Sequence, residues 1–242
     1  MSNAESGGPF RRRGFIIAAI VVGAILLLGV IAIVASLLTN RDDDEPGPTS
    51  APTTSSSTDP ADADLSICGL EDFEETSSLD GPPSNEWELV GTIAAPVDTR
   101  GAGPGVIDAN GFRSCYARTA EGALFAAVGY VAVGSDARNV PRLYELLAAG
   151  PVRDELEASP APGDASATRL QVAGFKINSY TADEATVDVA WQVTSEGSAL
   201  VSLPTVLTWE DGDWKVVIGE NGPPFAPSPL ENLGGYTPWA GV

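Results

Sequence analysis

Hydrophobic and polar positions change their spacing several times along the chain, and each change predicts a different element. Gly14 to Leu38 are 25 consecutive residues without a charge, reading GFIIAAIVVGAILLLGVIAIVASLL. A hydrocarbon core about 30 Å thick takes roughly 20 apolar residues of helix. A helix of this length reaches about 37 Å, so the run predicts one transmembrane helix over 14–39. A cleaved signal peptide would show an apolar region of only about 7–15 residues and a small-x-small cleavage site; this run is longer and no clear site follows. Residues 40–64, NRDDDEPGPTSAPTTSSSTDPADAD, have almost nothing to bury. They predict a disordered stalk rich in Pro, Ser, Thr and Asp, whose job is spacing. Residues 1–13 are too short to fold and predict a polar tail.

Between 65 and 242 the apolar residues return at spacings that fit one folded domain with its own core. Trp87 to Ile93 predicts a short strand, and 95–112 a loop. Thr119 is a good helix cap with Glu121 in the first turn. Ala120, Ala123, Leu124, Ala127, Val128 and Val131 then recur at three-to-four spacing, predicting an amphipathic helix with one packed face. A second helix is expected from about Pro141 to Ala149, capped by Asn139 and stopped by Gly150, with a further short helix over 151–158.

The period then shifts to two. Leu170 and Val172 share one parity and Phe175 and Ile177 the other, so a bulge or sharp bend is predicted at Ala173-Gly174. Val187, Val189, Trp191 and Val193 alternate with Thr186, Asp188, Ala190 and Gln192, as in a strand with one buried face. Residues 199–209 predict another strand, with Pro204 at a bend or an unpaired position. Trp209-Glu-Asp-Gly-Asp-Trp214 predicts a hairpin closed by a type I′ turn at Asp211-Gly212, pairing Trp209 with Trp214 and Leu207 with Val216. The Pro-rich tail, with Phe225, Tyr236 and Trp239, should wrap the domain. Helices followed by antiparallel strands predict an α+β fold, its helices on one face of a curved, mostly antiparallel four-stranded sheet.

Charge sets the topology. Arg11, Arg12 and Arg13 precede the apolar run, and Arg41-Asp42-Asp43-Asp44-Glu45 follows it. Positive charge stays on the cytoplasmic side, so the N-terminus is expected in the cytoplasm and 65–242 outside, in a single-pass arrangement in the cell membrane. The net charge is −20, and 32 acidic residues face 10 basic ones beyond residue 40. No basic patch is available to neutralise phosphates, which argues against direct nucleic-acid binding. An acidic surface serves solubility first and attracts cationic partners second. Cys68 and Cys115 allow one intramolecular pairing, which an outer compartment permits; the alternative is two free buried thiols.

Candidate chemistry is sparse. The chain has no histidine, which excludes a Ser-His-Asp triad, a Cys-His pair and an HExxH zinc site. Gly101-Ala-Gly103-Pro-Gly105 lacks the strand-to-helix context and GK[ST] ending of a phosphate loop. Asp42 to Glu45 has no fixed loop geometry for Ca²⁺. No cofactor and no metal are expected. Asp188 or Glu184 with Tyr130 or Tyr144 could form an isomerase-like base and proton donor, but the parity of Asp188 places it on the solvated face. An exposed Trp87 or Trp239 could anchor a partner.

The GALFAA helix, FKINSY, ATVDVAWQV and the LTWEDGDWKVV hairpin together resemble the nuclear-transport-factor-like cone fold over roughly 112–220. With a short tail, one anchor and a low-complexity stalk, the chain resembles single-pass proteins of actinobacterial conjugative elements. More remotely, it is similar to the bitopic assembly component of type IV secretion systems. Two lysines against eleven arginines fit a GC-rich bacterial genome. The resemblance implies a non-catalytic, membrane-anchored scaffold of a conjugal-transfer or secretion apparatus, in contact with other envelope proteins and open to homo-oligomerisation. The alternatives are a small-ligand-binding or isomerase-like ectodomain, and a wall-associated module for a cationic polymer.

Overall fold

Alternation over 170–216 is the strongest signal in the domain, and it becomes the main sheet. The computed structural model describes residues 65–163, 169–194 and 199–240. The predicted transmembrane helix, its Arg11–Arg13 flank and the stalk lie outside them. No helix among the described residues is long and apolar enough to cross a membrane.

The strands of the main sheet are β5 (Leu170–Tyr180), β6 (Glu184–Val193), β7 (Ala199–Glu210), β8 (Asp213–Val216), β9 (Ser228–Leu230) and β10 (Thr237–Pro238). They pair antiparallel in the order β10-β5-β6-β7-β8, with β9 on β7 beside β8. The phase slip in β5 is a bulge. Val172 pairs with Trp191 and Gly174 with Ala190, which leaves Ala173 over. Pro204 lies between the part of β7 that pairs with β9 (Leu200–Ser202) and the part that pairs with β8 (Leu207–Glu210). There its missing N–H costs the ladder nothing on that side. Asp211 (φ 54°) and Gly212 (φ 76°) close the β7–β8 hairpin, the two positive values that a type I′ turn requires.

The expected four-stranded, cone-like α+β arrangement is therefore corrected to a sheet-rich domain. Its main sheet has six antiparallel strands, and two small ribbons lie outside it. The two extra strands of the main sheet come from the Pro-rich tail. The ribbons come from 86–114, most of which reads as loop in sequence. One ribbon is β1 (Glu86–Val90) with β2 (Ile93–Val97); the other is β3 (Val106–Ile107) with β4 (Arg113–Ser114). The expected single strand at 87–93 is thus a hairpin, turned at Gly91-Thr92 with Gly91 at φ 56°. Ser135 Oγ accepts from Thr92 N–H and donates to the Val90 carbonyl, which pins this turn to the end of the helix over Ala120–Gly134.

Helix α1 (Ala120–Gly134) starts as its cap predicts, with Thr119 Oγ1 accepting from Gly122 N–H. It is not a one-faced amphipathic helix. Gly122 to Gly129 is buried without interruption, because α1 packs on β2 on one side and on β5, β6 and β8 on another. Its many Ala and Gly residues let two layers approach it closely. The expected helix from Pro141 is a 3-10 helix over Val140–Leu146. Asn139 makes no cap bond there; it is fully buried, and its amide donates to the Asn110 carbonyl. Gly150 precedes a short helix, α2 (Pro151–Ala158).

The core lies between α1 and the sheet. Trp191, Trp214, Phe125, Phe175, Leu124 and Leu207 are its largest fully buried apolar side chains. Trp239 joins them from the tail, with ring centroids 4.7 Å from Trp87, 5.8 Å from Phe125 and 5.7 Å from Phe175. It is buried, and Trp87 packs against it, so neither indole stands free as an anchor for a partner.

Candidate functional site

Among the described residues the buried carboxylates are Asp136, Asp188 and Asp213; Asp136 pairs with nearby Arg138, and the other two each fasten a distant part of the domain. The first of these two is Asp213, the opening residue of β8, which follows the hairpin turn directly. Its Oδ1 accepts from the backbone N–H of Tyr116 (2.9 Å) and of Trp214 (2.9 Å). Its Oδ2 accepts from Cys115 N–H (3.0 Å) and Lys215 Nζ (3.2 Å). Cys115 sits in the left-handed region at φ 66°, unusual for a residue with a Cβ. The bond from its N–H to Asp213 and the bond from Gly105 N–H to its carbonyl (2.7 Å) hold it there.

Cys68 and Cys115 are joined by a disulfide with a Cα–Cα distance of 6.2 Å. Beside it, Ile67 N–H donates to the Gly212 carbonyl at the hairpin tip (2.8 Å). Trp214 Nε1 donates to the Ala117 carbonyl (2.9 Å), and its ring meets Trp209 edge-on at 5.4 Å. The hairpin residues Trp209, Asp211, Gly212 and Trp214 and the cysteines Cys68 and Cys115 thus form one corner. At its rim the Arg118 guanidinium lies 5.5 Å from both the Phe73 and the Trp209 ring centres. Arg118 also donates to the Ala182 carbonyl and the Asp183 carboxylate.

The second carboxylate is Asp188. Parity puts it on the face of β6 opposite Val187 and Val189, and sequence reasoning takes that face as solvated. The structure corrects this: Asp188 is 4% exposed. The tail crosses that face between β9 and β10 through a run of bends and turns. Tyr236 donates its hydroxyl to Asp188 Oδ2 (2.7 Å), and Ser202 from β7 donates to Oδ1 (2.7 Å). Lys176 pairs in register with Asp188, and its Nζ lies 5.3 Å from the Tyr236 ring centre. Burial, aided by the bond to Asp188, pushes the Tyr236 phenol up to about 12. The other isomerase candidates do not join this group. Glu184 is exposed at the start of β6, and Tyr130 and Tyr144 lie on α1 and the 3-10 helix. Burial raises the Tyr130 phenol to about 12.

Asp213 accepts from three backbone N–H groups and an ammonium. Asp188 accepts from two hydroxyls, one on each oxygen. Among the described residues no group of three or more His, Cys, Asp and Glu is arranged to hold a metal ion. Arg113 is buried, and burial lowers its pKa. Its ion pair to Glu88 is long, at 3.5 Å. Sequence reasoning misses Asp213, Ser202 and Tyr236 as partners because each acts on a residue elsewhere in the chain, at separations of 98, 14 and 48 residues. The one local signal is an acidic residue just after a predicted turn, next to a buried tryptophan.

Residues 47–238 match a family described as a domain of unknown function (DUF8175), and the chain belongs to that family. No curated protein and no solved structure matches it.

Proposed function

We propose that this protein is a non-catalytic interaction domain of the cell envelope, tethered by its apolar segment at 14–38 and facing outward. The observation that carries the reading is the Cys68–Cys115 bridge. Disulfides persist in oxidising compartments and are rare in the cytosol. The uncharged run and its arginine flank independently favour the same side of the membrane. Asp188 and Asp213 support a scaffold over an enzyme, because each accepts from internal donors. A more specific role in a conjugal-transfer or secretion apparatus draws on the anchor, the stalk, the absence of catalytic groups and the cone-fold resemblance, and the six-stranded sheet bears only on the last of these. The broader reading is an envelope scaffold.

The test is on the full chain in its native membrane. Externally added protease should digest the C-terminal domain in intact spheroplasts, and alkylation should find no free thiol before reduction. Photo-cross-linkers placed on the domain surface should capture a defined envelope protein. An active cytoplasmic reporter fused after Val242, or free thiols in cells, would overturn the proposal.

A further inference from the structure

We infer that the outer edge of β1 is a strand-addition site for an extended, basic segment of a partner protein. This rests on the reading of the domain as an interaction module and names the surface and the partner chemistry. Register comes first. Val90 pairs with Ile93 across a two-residue turn, Glu88 with Ala95 and Glu86 with Val97. In such a ladder hydrogen-bonded and non-bonded pairs alternate, so residues 86, 88 and 90 bond to β2. The N–H and C=O groups of Trp87 and Leu89 then point away from it. Pro96, which has no N–H, stands opposite Trp87, as a non-bonded position allows. Outside the β1–β2 ladder, no backbone–backbone hydrogen bond among the described residues involves Trp87 or Leu89.

The outer edges of the main sheet, by contrast, carry cover over part of their length. The β10 strand and the Trp239 N–H cap β5 at 173–175. Strands β8 and β9 share β7, and Ala148 N–H donates to the Val216 carbonyl beyond β8. Natural proteins blunt open edges with short strands, charged side chains, Pro or bulges; EWELV has no Pro and no bulge, and its only charges are Glu86 and Glu88. Leu89 is instead 74% exposed.

Charge selects the partner. Glu86 and Glu88 share one face of β1, and residues 65–242 carry 25 acidic against 9 basic side chains. Like charges directly opposite one another destabilise a strand pair, which disfavours a second copy of β1. An added strand with Lys or Arg beside the glutamates and an aliphatic residue beside Leu89 is the complement.

The probe is an acetylated and amidated Lys-Val-Lys-Val-Lys-Val peptide, with its Glu-Val counterpart as control, added to the full chain in detergent micelles. Hydrogen exchange is read residue by residue. In the free chain the amides of Trp87 and Leu89 should exchange as open amides while those of Glu86, Glu88 and Val90 are protected. The basic peptide should slow Trp87 and Leu89 by about tenfold or more, and the acidic one should not. Leu89→Pro removes one outward donor without touching the β2 ladder and should abolish the protection of Trp87. Should that variant misfold, N-methylation of alternate peptide residues must abolish binding to the unaltered protein. Prior protection of Trp87 and Leu89 in the free chain overturns the inference. So does equal protection by both peptides, or protection indifferent to N-methylation. An envelope partner cross-linked only to other surfaces would sink the edge site and leave the scaffold reading standing.

Discussion

The two ends of the domain are fastened by different chemistry. At the N-terminal end a covalent bridge and backbone amides hold the corner: Cys68–Cys115, and three N–H groups converging on Asp213. At the C-terminal end side chains alone meet Asp188, and Trp239 is seated by stacking on Phe125 and a tilted contact with Trp87. Backbone donors cannot rotate away, so losing their acceptor leaves several orphaned groups at once. Hydroxyls can turn to other acceptors or to water. Two equally buried carboxylates therefore differ in consequence according to what kind of donor they hold.

The largest effect is expected from Asp213→Ala, which should cost about 3–5 kcal/mol in urea unfolding because three buried amides and Lys215 lose their acceptor. Asp213→Asn should recover part of that loss, since it keeps one carbonyl oxygen. Trp239→Ala is expected to follow at about 3–4 kcal/mol through the cavity it leaves, with no change at the cystine corner. Replacing both cysteines by Ser should cost about 2–4 kcal/mol, read as a lowered urea midpoint that reductant no longer shifts. Tyr236→Phe should cost only about 1–2 kcal/mol, leaving Asp188 with Ser202. If Tyr236→Phe proves as damaging as Asp213→Ala, the distinction between donor types fails.

Alkaline pH supplies a test of a different kind. Burial raises the phenols of Tyr116, Tyr130, Tyr180 and Tyr236 above their ordinary value of 10, to about 12 for Tyr130 and Tyr236. A raised folded pKa means that the stability these groups lend is complete below pH 10. It falls as the unfolded chain ionises and the folded one does not. The fold should therefore weaken between pH 10 and 12. Phenolate absorbance should rise together with loss of tryptophan packing, and Tyr236→Phe should make that transition slightly shallower.

Local devices are legible in the sequence. The Trp209–Trp214 hairpin, the slip at Ala173 and the Thr119 cap depend on residues within a few positions of one another, where turn sterics and period dominate. Coverage is not legible in the same way. Parity assigns Asp188 to a face but does not say what lies on that face, and the tail segment carrying Tyr236 has no period to announce it. The same limit explains α1. Spacing of its larger apolar residues suggests one contact face, while the alanines and glycines between them are small because two layers press close. The six-stranded sheet follows from this blind spot, since its two extra strands are short pieces of the aperiodic tail.

The bridge also decides how a mechanical pull would travel. Traction arriving from the N-terminal side reaches Cys68 and crosses directly to Cys115, at the doorstep of α1 and the hairpin. Residues 69–114 lie outside that path, so about 150 Å of chain stays slack and cannot be reeled out. A pull from the N-terminal side is thus delivered to the corner where Cys115 is bonded to Asp213, while the β1–β2 ribbon rides unstretched beside it.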